Sequence, residues 1–190
     1  MNSSRERDDE RITALAIAAA RGDQRAYEQW VRSTQADVWR FVAHLTDSAA
    51  ADDLTQETYA RAVNSLARFA GRSSSRTWLL SIARRAVVDH FRARSARPQV
   101  SGQDWETAVE EHSVRSRADS AGFEEFVEVG LLLRGLDDER REALVLTQVL
   151  GYTYAEAAEI CGCPIGTVRS RVARGRDDLL AARDERGNAI

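Results

Sequence analysis

The sequence predicts an all-α chain: two small helical domains joined by a flexible acidic linker, the second domain carrying a helix-turn-helix. Three observations support this. Apolar residues recur at helical spacing over 13–96 and 123–183, and no strand-like alternation lasts beyond a few residues. The stretch 97–122, "RPQVSGQDWETAVEEHSVRSRADSAG", has weak periodicity, a proline and two glycines, which suits a linker. Finally, "TYAEAAEICGCPIGTVRSR" contains a capped short helix, a tight Gly-Pro turn and a second helix.

Composition narrows the function. A hydrophobic fraction of 43% is enough to build cores in 190 residues. No run of about 18 apolar residues is present, so no membrane span is expected. "MNSSRERDDER" lacks the basic-then-apolar layout of a signal peptide, and two cysteines one residue apart make no disulfide framework. A reducing cytoplasm is the expected location. No nucleophile–base set or metal-ligand cluster is visible, so neither an enzyme nor a cofactor is expected.

Charge is distributed unevenly. All 27 basic residues are Arg, and the net charge is −3. Residues 68–97 hold 8 Arg against one acid, Asp89, whereas 98–142 hold 12 acids and 5 Arg. An independent DNA binder is usually basic overall. Basic patches on an acidic body predict DNA binding that depends on a partner.

Taken in order, residues 1–12 are polar and read as a disordered tail. In "AAADDLTQETYARAV", Asp53, Gln56 and Glu57 fall within about one turn. They suit a helix N-terminus or a polar docking face equally well. "FAGRSSSRTWLLSIARRAVVDHFRAR" opens with a loop over Gly71, Arg72, Ser73, Ser74, Ser75 and Arg76, and a helix starts near Thr77. Leu79, Ile82, Ala83, Ala86, Val87 and Phe91 share its buried face, and Arg84, Arg85 and Arg92 form a basic stripe opposite. Trp78 and Phe69 bracket the loop. Trp78 fits either a core position or a stacking platform for an unpaired base.

In the second domain, "LDDERREALVLTQVLG" opens on acids and closes on Gly151. Thr153 and Glu156 form a capping box, and Pro164 fits the first position of the next helix. Cys161 and Cys163 have no further ligands nearby and read as small residues packed under the turn. Val168 and Val172 can face inward with Cys161, leaving Arg169, Ser170, Ala173 and Arg174 on the outward arc. Arg there can donate to guanine O6 and N7 or clamp phosphates. Gly175 costs about 1 kcal/mol in a helix interior relative to Ala, so it marks a bend or is tolerated. The 184–190 segment reads as a second tail.

With these residues in view, the chain resembles the two-domain sigma factors of the extracytoplasmic-function type, within the sigma-70 family. "RGDQRAYEQW", "DDLTQETYARAV" and "SSRTWLLSIARRAVVDHFRAR" are similar to the family's first domain, and "LDDERREALVLTQVLGYTYAEAAEICGCPIGTVRSRVARGRDDLL" to its second. The resemblance implies a dissociable subunit that binds core RNA polymerase (its beta and beta-prime subunits), recognises promoter DNA at −35 and −10, and promotes melting. It implies docking on polymerase through Asp53, Gln56 and Glu57. The −10 element would be engaged by Gly71, Arg72, Ser73, Ser74, Ser75, Arg76, Trp78, Arg84, Arg85 and Arg92. The −35 element would be read by Thr167, Arg169, Ser170, Arg171, Ala173 and Arg174. Most relatives are held by an anti-sigma factor. The sequence departs from the family pattern at Ser75 and Arg76, where aromatics are frequent, at Arg85, where Asn is common, and at Leu136-Asp137, in place of Leu-Pro. A self-sufficient repressor is the rival reading; it would need a dimer surface and tight DNA binding without polymerase.

Overall fold

The computed structural model describes residues 2–46, 48–96, 129–130 and 132–187. The expected linker and residues 123–128 lie outside them. Among the described residues every regular element is helical.

The first domain has four helices: α1 (Asn2–Ala20), α2 (Gln24–Leu45), α3 (Ser48–Leu66) and α4 (Ser75–Ala96). Asp23 starts α2 by accepting a bond from the Ala26 amide at 3.0 Å, which satisfies a donor that helix geometry leaves unpaired. Trp30, Val38, Phe41 and Val42 from α2 are fully buried, together with Ile12 of α1 and Leu79 and Leu80 of α4. Full burial of side chains this large contributes about 1.5–3 kcal/mol each. The Trp30 indole donates to Ser75 Oγ at 3.2 Å, and the Ser75 amide donates to Thr13 Oγ1 at 2.9 Å. Both bonds fasten the start of α4 to the two helices beside it.

Three boundaries differ from expectation. α1 begins at Asn2, where a tail was expected, because Asp8 and Asp9 pair with Arg76 of α4 and fix its early turns. α4 begins at Ser75, two residues early, since Ser74 Oγ accepts from the Thr77 amide at 3.1 Å and caps it. Phe91, assigned to the buried face, is 37% exposed, lying where α4 has run past its neighbours.

The second domain contains α5 (Asp138–Leu144), which widens into a π-helical turn over Val145–Val149, then α6 (Tyr154–Cys161) and α7 (Ile165–Gly187). Asp137 caps α5 by accepting from the Glu139 amide at 3.0 Å. Gly151 takes φ +69, the left-handed conformation that ends the helix. Both halves of the Thr153/Glu156 capping box form at α6. α7 continues to Gly187, past the expected end at 183. Gly175 is no bend: a Cβ there would lie 2.8 Å from Leu144 Cδ1, so its absence lets α7 approach α5 closely.

The two domains touch. α4 packs on α6, and Arg84 Nε of α4 meets Glu142 Oε1 of α5 at 2.5 Å. Glu142 is buried, which pushes its carboxyl pKa up while the Arg84 charge opposes the rise.

Candidate nucleic-acid interface

Two surfaces carry the residues expected to meet DNA. In the second domain the turn between α6 and α7 is built by Gly162 at φ +64, whose amide donates to the carbonyls of Ala158 and Glu159. The Cys163 amide donates to Ala158 at 3.1 Å, which closes the helix end. Pro164 sits one position before α7 rather than inside it, and its carbonyl accepts from the Thr167 amide at 2.9 Å. Cys161 is buried against the turn, and burial pushes its thiol pKa well up, away from a reactive thiolate. No metal-ligating cluster occurs among the described residues.

Val168 and Val172 are 0% and 1% exposed, which fixes the rotation of α7 about its axis. Arg169, Ser170, Ala173 and Arg174 then all lie exposed on the opposite arc. Thr167 is half-buried, and its carbonyl accepts from Ser170 Oγ at 2.9 Å. Arg171 belongs elsewhere. It pairs with Glu139 of α5 at 2.5 Å and donates to Cys163 Sγ at 3.6 Å, so it braces the turn instead of joining the outward arc.

In the first domain Phe69 and Trp78 lie with ring centroids 4.8 Å apart, and Trp30 is 6.2 Å beyond. Trp78 therefore joins the aromatic core on one side and is partly exposed on the other. It lines an open recess of about 360 Å³ with Arg61, Ser65, Arg68, Ile82 and Arg85. Arg85 bends back so that Nε donates to the Ser81 carbonyl at 3.0 Å, at the rim of this recess. Arg61, Ser65 and Arg68 were not expected at the site. Their i, i+4, i+7 spacing on α3 was a readable signal, because it sets all three on one helix face.

The loop residues divide. Arg72 is exposed, Ser73 half-buried, and Gly71 takes φ +66 with Ile17 packed beneath it. Ser74 and Ser75 are spent on capping and on the Trp30 and Thr13 bonds. Arg76 is enclosed by acids: Asp9 at 2.7 Å, Asp8 at 2.8 Å and Asp37 at 3.2 Å. Burial works against its charge, but these carboxylates outweigh it and raise its pKa further. Burial also raises the Asp37 carboxyl despite the Arg76 charge beside it. Arg84 is committed to Glu142, whereas Arg92 is exposed. The expected −10 set is thus split in this conformation into accessible residues and residues held by internal ion pairs.

A third surface runs along α3, where Asp53, Gln56 and Glu57 are all exposed. Glu57 accepts from Arg61 Nη2 at 2.5 Å, and Arg61 bridges to Asp89 of α4 at 2.7 Å. Gln56 opens onto a second recess of about 400 Å³ shared with Tyr27, Val31, Thr55 and Tyr59.

The sigma-70 region 2 family model matches residues 30–97, and the sigma-70 region 4 model matches 126–179. The chain is 53% identical over 174 residues to the ECF RNA polymerase sigma factor SigC of Mycobacterium tuberculosis, covering 92% of each chain. The chain belongs to the extracytoplasmic-function sigma factors of the sigma-70 family. This sigma factor is also 37% identical over 131 residues to EcfG of Rhodopseudomonas palustris, 69% of the chain and 70% of the relative. Among solved structures it is similar to CnrH in complex with the cytosolic domain of CnrY, with TM-score 0.69, 27% identity, and coverage of 91% of this chain and 97% of that one. It is also similar to RpoE of Bartonella quintana in complex with the anti-sigma factor NepR, with TM-score 0.65, 30% identity and coverage of 80% and 93%. Sigma factors of this family direct RNA polymerase to promoters, and the helix-turn-helix and the aromatic-basic recess lie within the two matched regions. No described helix of the sigma factor is long and apolar enough to cross a membrane.

Proposed function

We propose that this sigma factor reads the −35 element with the α7 arc of Arg169, Ser170, Ala173 and Arg174, and captures the −10 element at the recess beside Trp78. The observation that carries this reading is the rotation of α7. Burial of Val168 and Val172 leaves those four side chains exposed together at the start of the second helix, the geometry with which helix-turn-helix proteins enter the major groove. At the recess, Arg68 and Arg85 beside a partly exposed tryptophan suit a single-stranded nucleotide: the ring offers a stacking face and these guanidiniums hold the phosphate, while Arg61 is paired with Glu57 and Asp89. Asp53, Gln56 and Glu57 dock on the largest polymerase subunit, and the adjoining apolar recess by Tyr27 and Tyr59 widens that surface.

The chain works as a non-catalytic initiation factor in the cytoplasm. The likeness to CnrH and RpoE, both solved with anti-sigma partners, supports a regulatory partner of that kind here. The acidic body explains the need for polymerase, which supplies the rest of the electrostatic grip on DNA. A gel shift on a cognate promoter fragment tests the division of labour. Binding appears with core polymerase and the free chain binds weakly; tight binding by the free chain alone would point to the repressor reading.

A further inference from the structure

Ile165 is a large apolar residue that the fold leaves in water. It is the first residue of α7 and is 40% exposed. The start of the helix does not depend on its side chain: the Pro164 carbonyl accepts from the Thr167 amide at 2.9 Å and from the Val168 amide at 3.3 Å. Helix propensity does not favour it either, because a β-branched residue suits a helix less well than alanine. A single exposed apolar side chain is ordinary on a protein surface. The residue beside it is not. Gly166 is helical and exposed, and a Cβ there would meet nothing within 4 Å. Glycine weakens a helix relative to alanine, and no close contact inside the chain requires it at this position. Gly175 on the same helix differs, since Leu144 occupies the space a Cβ would need.

Both residues lie where α7 is proposed to meet DNA. At about 100° per residue, Gly166 falls between Arg169 and Ser170 about the helix axis, within the exposed arc. Ile165 lies at the edge of that arc, one turn before Arg169. Helix-turn-helix proteins bring the N-terminal residues of the second helix to base edges. The other exposed apolar residues nearby are placed differently: Val149 is in the π-helical turn, and Leu180 is roughly four turns further along α7. We infer that Ile165 is a specificity-determining residue of the −35 reading surface. Its side chain packs on the C5-methyl group of a thymine in the major groove, and the bare Gly166 lets the first turn of α7 approach closely enough for that contact. Thymine is the one base that presents a methyl group there, and apolar side chains recognise it by contact. Arg169 beside it supplies a polar contact to guanine or phosphate. The inference rests on the proposed reading of the −35 element by α7.

Binding of the holoenzyme to a promoter fragment tests it, with each −35 thymidine on either strand replaced in turn by deoxyuridine. That replacement removes the methyl group and keeps every base-pairing group. One replacement should weaken binding by the parent about fourfold, the worth of one buried methyl group. Ile165→Ala should bind the unmodified fragment about fourfold more weakly and be indifferent to the same replacement. Gly166→Ala should keep or raise the melting temperature, yet weaken binding about tenfold on modified and unmodified fragments alike, because a new Cβ is forced against DNA. Parent binding unmoved by deoxyuridine at every position would overturn the inference. So would an Ile165→Ala form as sensitive to deoxyuridine as the parent, or a Gly166→Ala form that binds as the parent does. Co-purification with core polymerase adds a control: loss of polymerase from Ile165→Ala would make Ile165 a protein contact and overturn the inference as well. The Arg169→Ala/Arg174→Ala form separates the two levels. If it loses the −35 element while deoxyuridine has no effect on the parent, only the thymine contact fails. If it binds promoter as the parent does, the −35 reading fails and the inference with it.

Discussion

The arginines at the start of α7 differ in what they touch. Arg169 and Arg174 are exposed beside Ser170 and Ala173, and Arg171 is held by Glu139 and Cys163. Arg169→Ala and Arg174→Ala should each cost about 1–3 kcal/mol in promoter recognition if they read bases, with the fold intact. Arg171→Ala should instead lower thermal stability slightly, by under about 1 kcal/mol, since a partly exposed ion pair contributes little. Competitive transcription on a promoter panel checks this; equal loss of promoter ranking in all three variants would contradict it. His44 is a different single-residue case. It is 6% exposed, and burial, with Arg40 nearby, lowers its pKa to about 4. The folded chain therefore favours neutral His44, and stability present above pH 6.5 is lost as pH falls toward 4. Urea unfolding should show a loss of about 2 kcal/mol between pH 7 and 5 from this residue. His44→Gln should flatten that slope, and an unchanged slope would remove the assignment.

Helices are where the sequence was most and least informative. The capped α6, the Gly162 turn and the inward valines of α7 were all legible, because caps, turn glycines and helical spacing act within a few residues. α1 was misread for the complementary reason. Its early turns look polar and unsupported, and what fixes them is Arg76, 67 positions away from its partner Asp9. Arg84, which helical spacing puts on a basic stripe, is paired with Glu142 across the domain boundary. Local pattern gives a helix its faces but not the neighbour each face meets. On α3 the exposed face carries its own test. Replacing Gln56 and Glu57 with Ala should weaken co-purification with core polymerase by about tenfold or more while leaving the helical content unchanged. Normal co-purification would remove the docking assignment. Because Glu57 also anchors Arg61, the Gln56→Ala variant alone separates loss of contact from a shift of Arg61.

At the scale of the molecule, charge and domain arrangement point the same way. An acidic chain with basic patches has little net electrostatic attraction for duplex DNA, and part of its basic surface is already committed to internal carboxylates. Both properties support the proposal that promoter binding depends on polymerase. Charge segregation was visible in the sequence; the ion pairs that use it were not, because they join residues far apart in the chain, Arg76 to Asp9 between two helices of the first domain and Arg84 to Glu142 across the two domains. The most direct test of the central claim is run-off transcription with core polymerase on a library of genomic fragments, comparing the parent with the Arg169→Ala/Arg174→Ala double variant. The parent should start transcripts at a small set of sites sharing a −35 and a −10 element, and the double variant should lose that selection while still binding polymerase. Parent transcripts indistinguishable from those of core enzyme alone, or an unchanged set of start sites in the double variant, would contradict it.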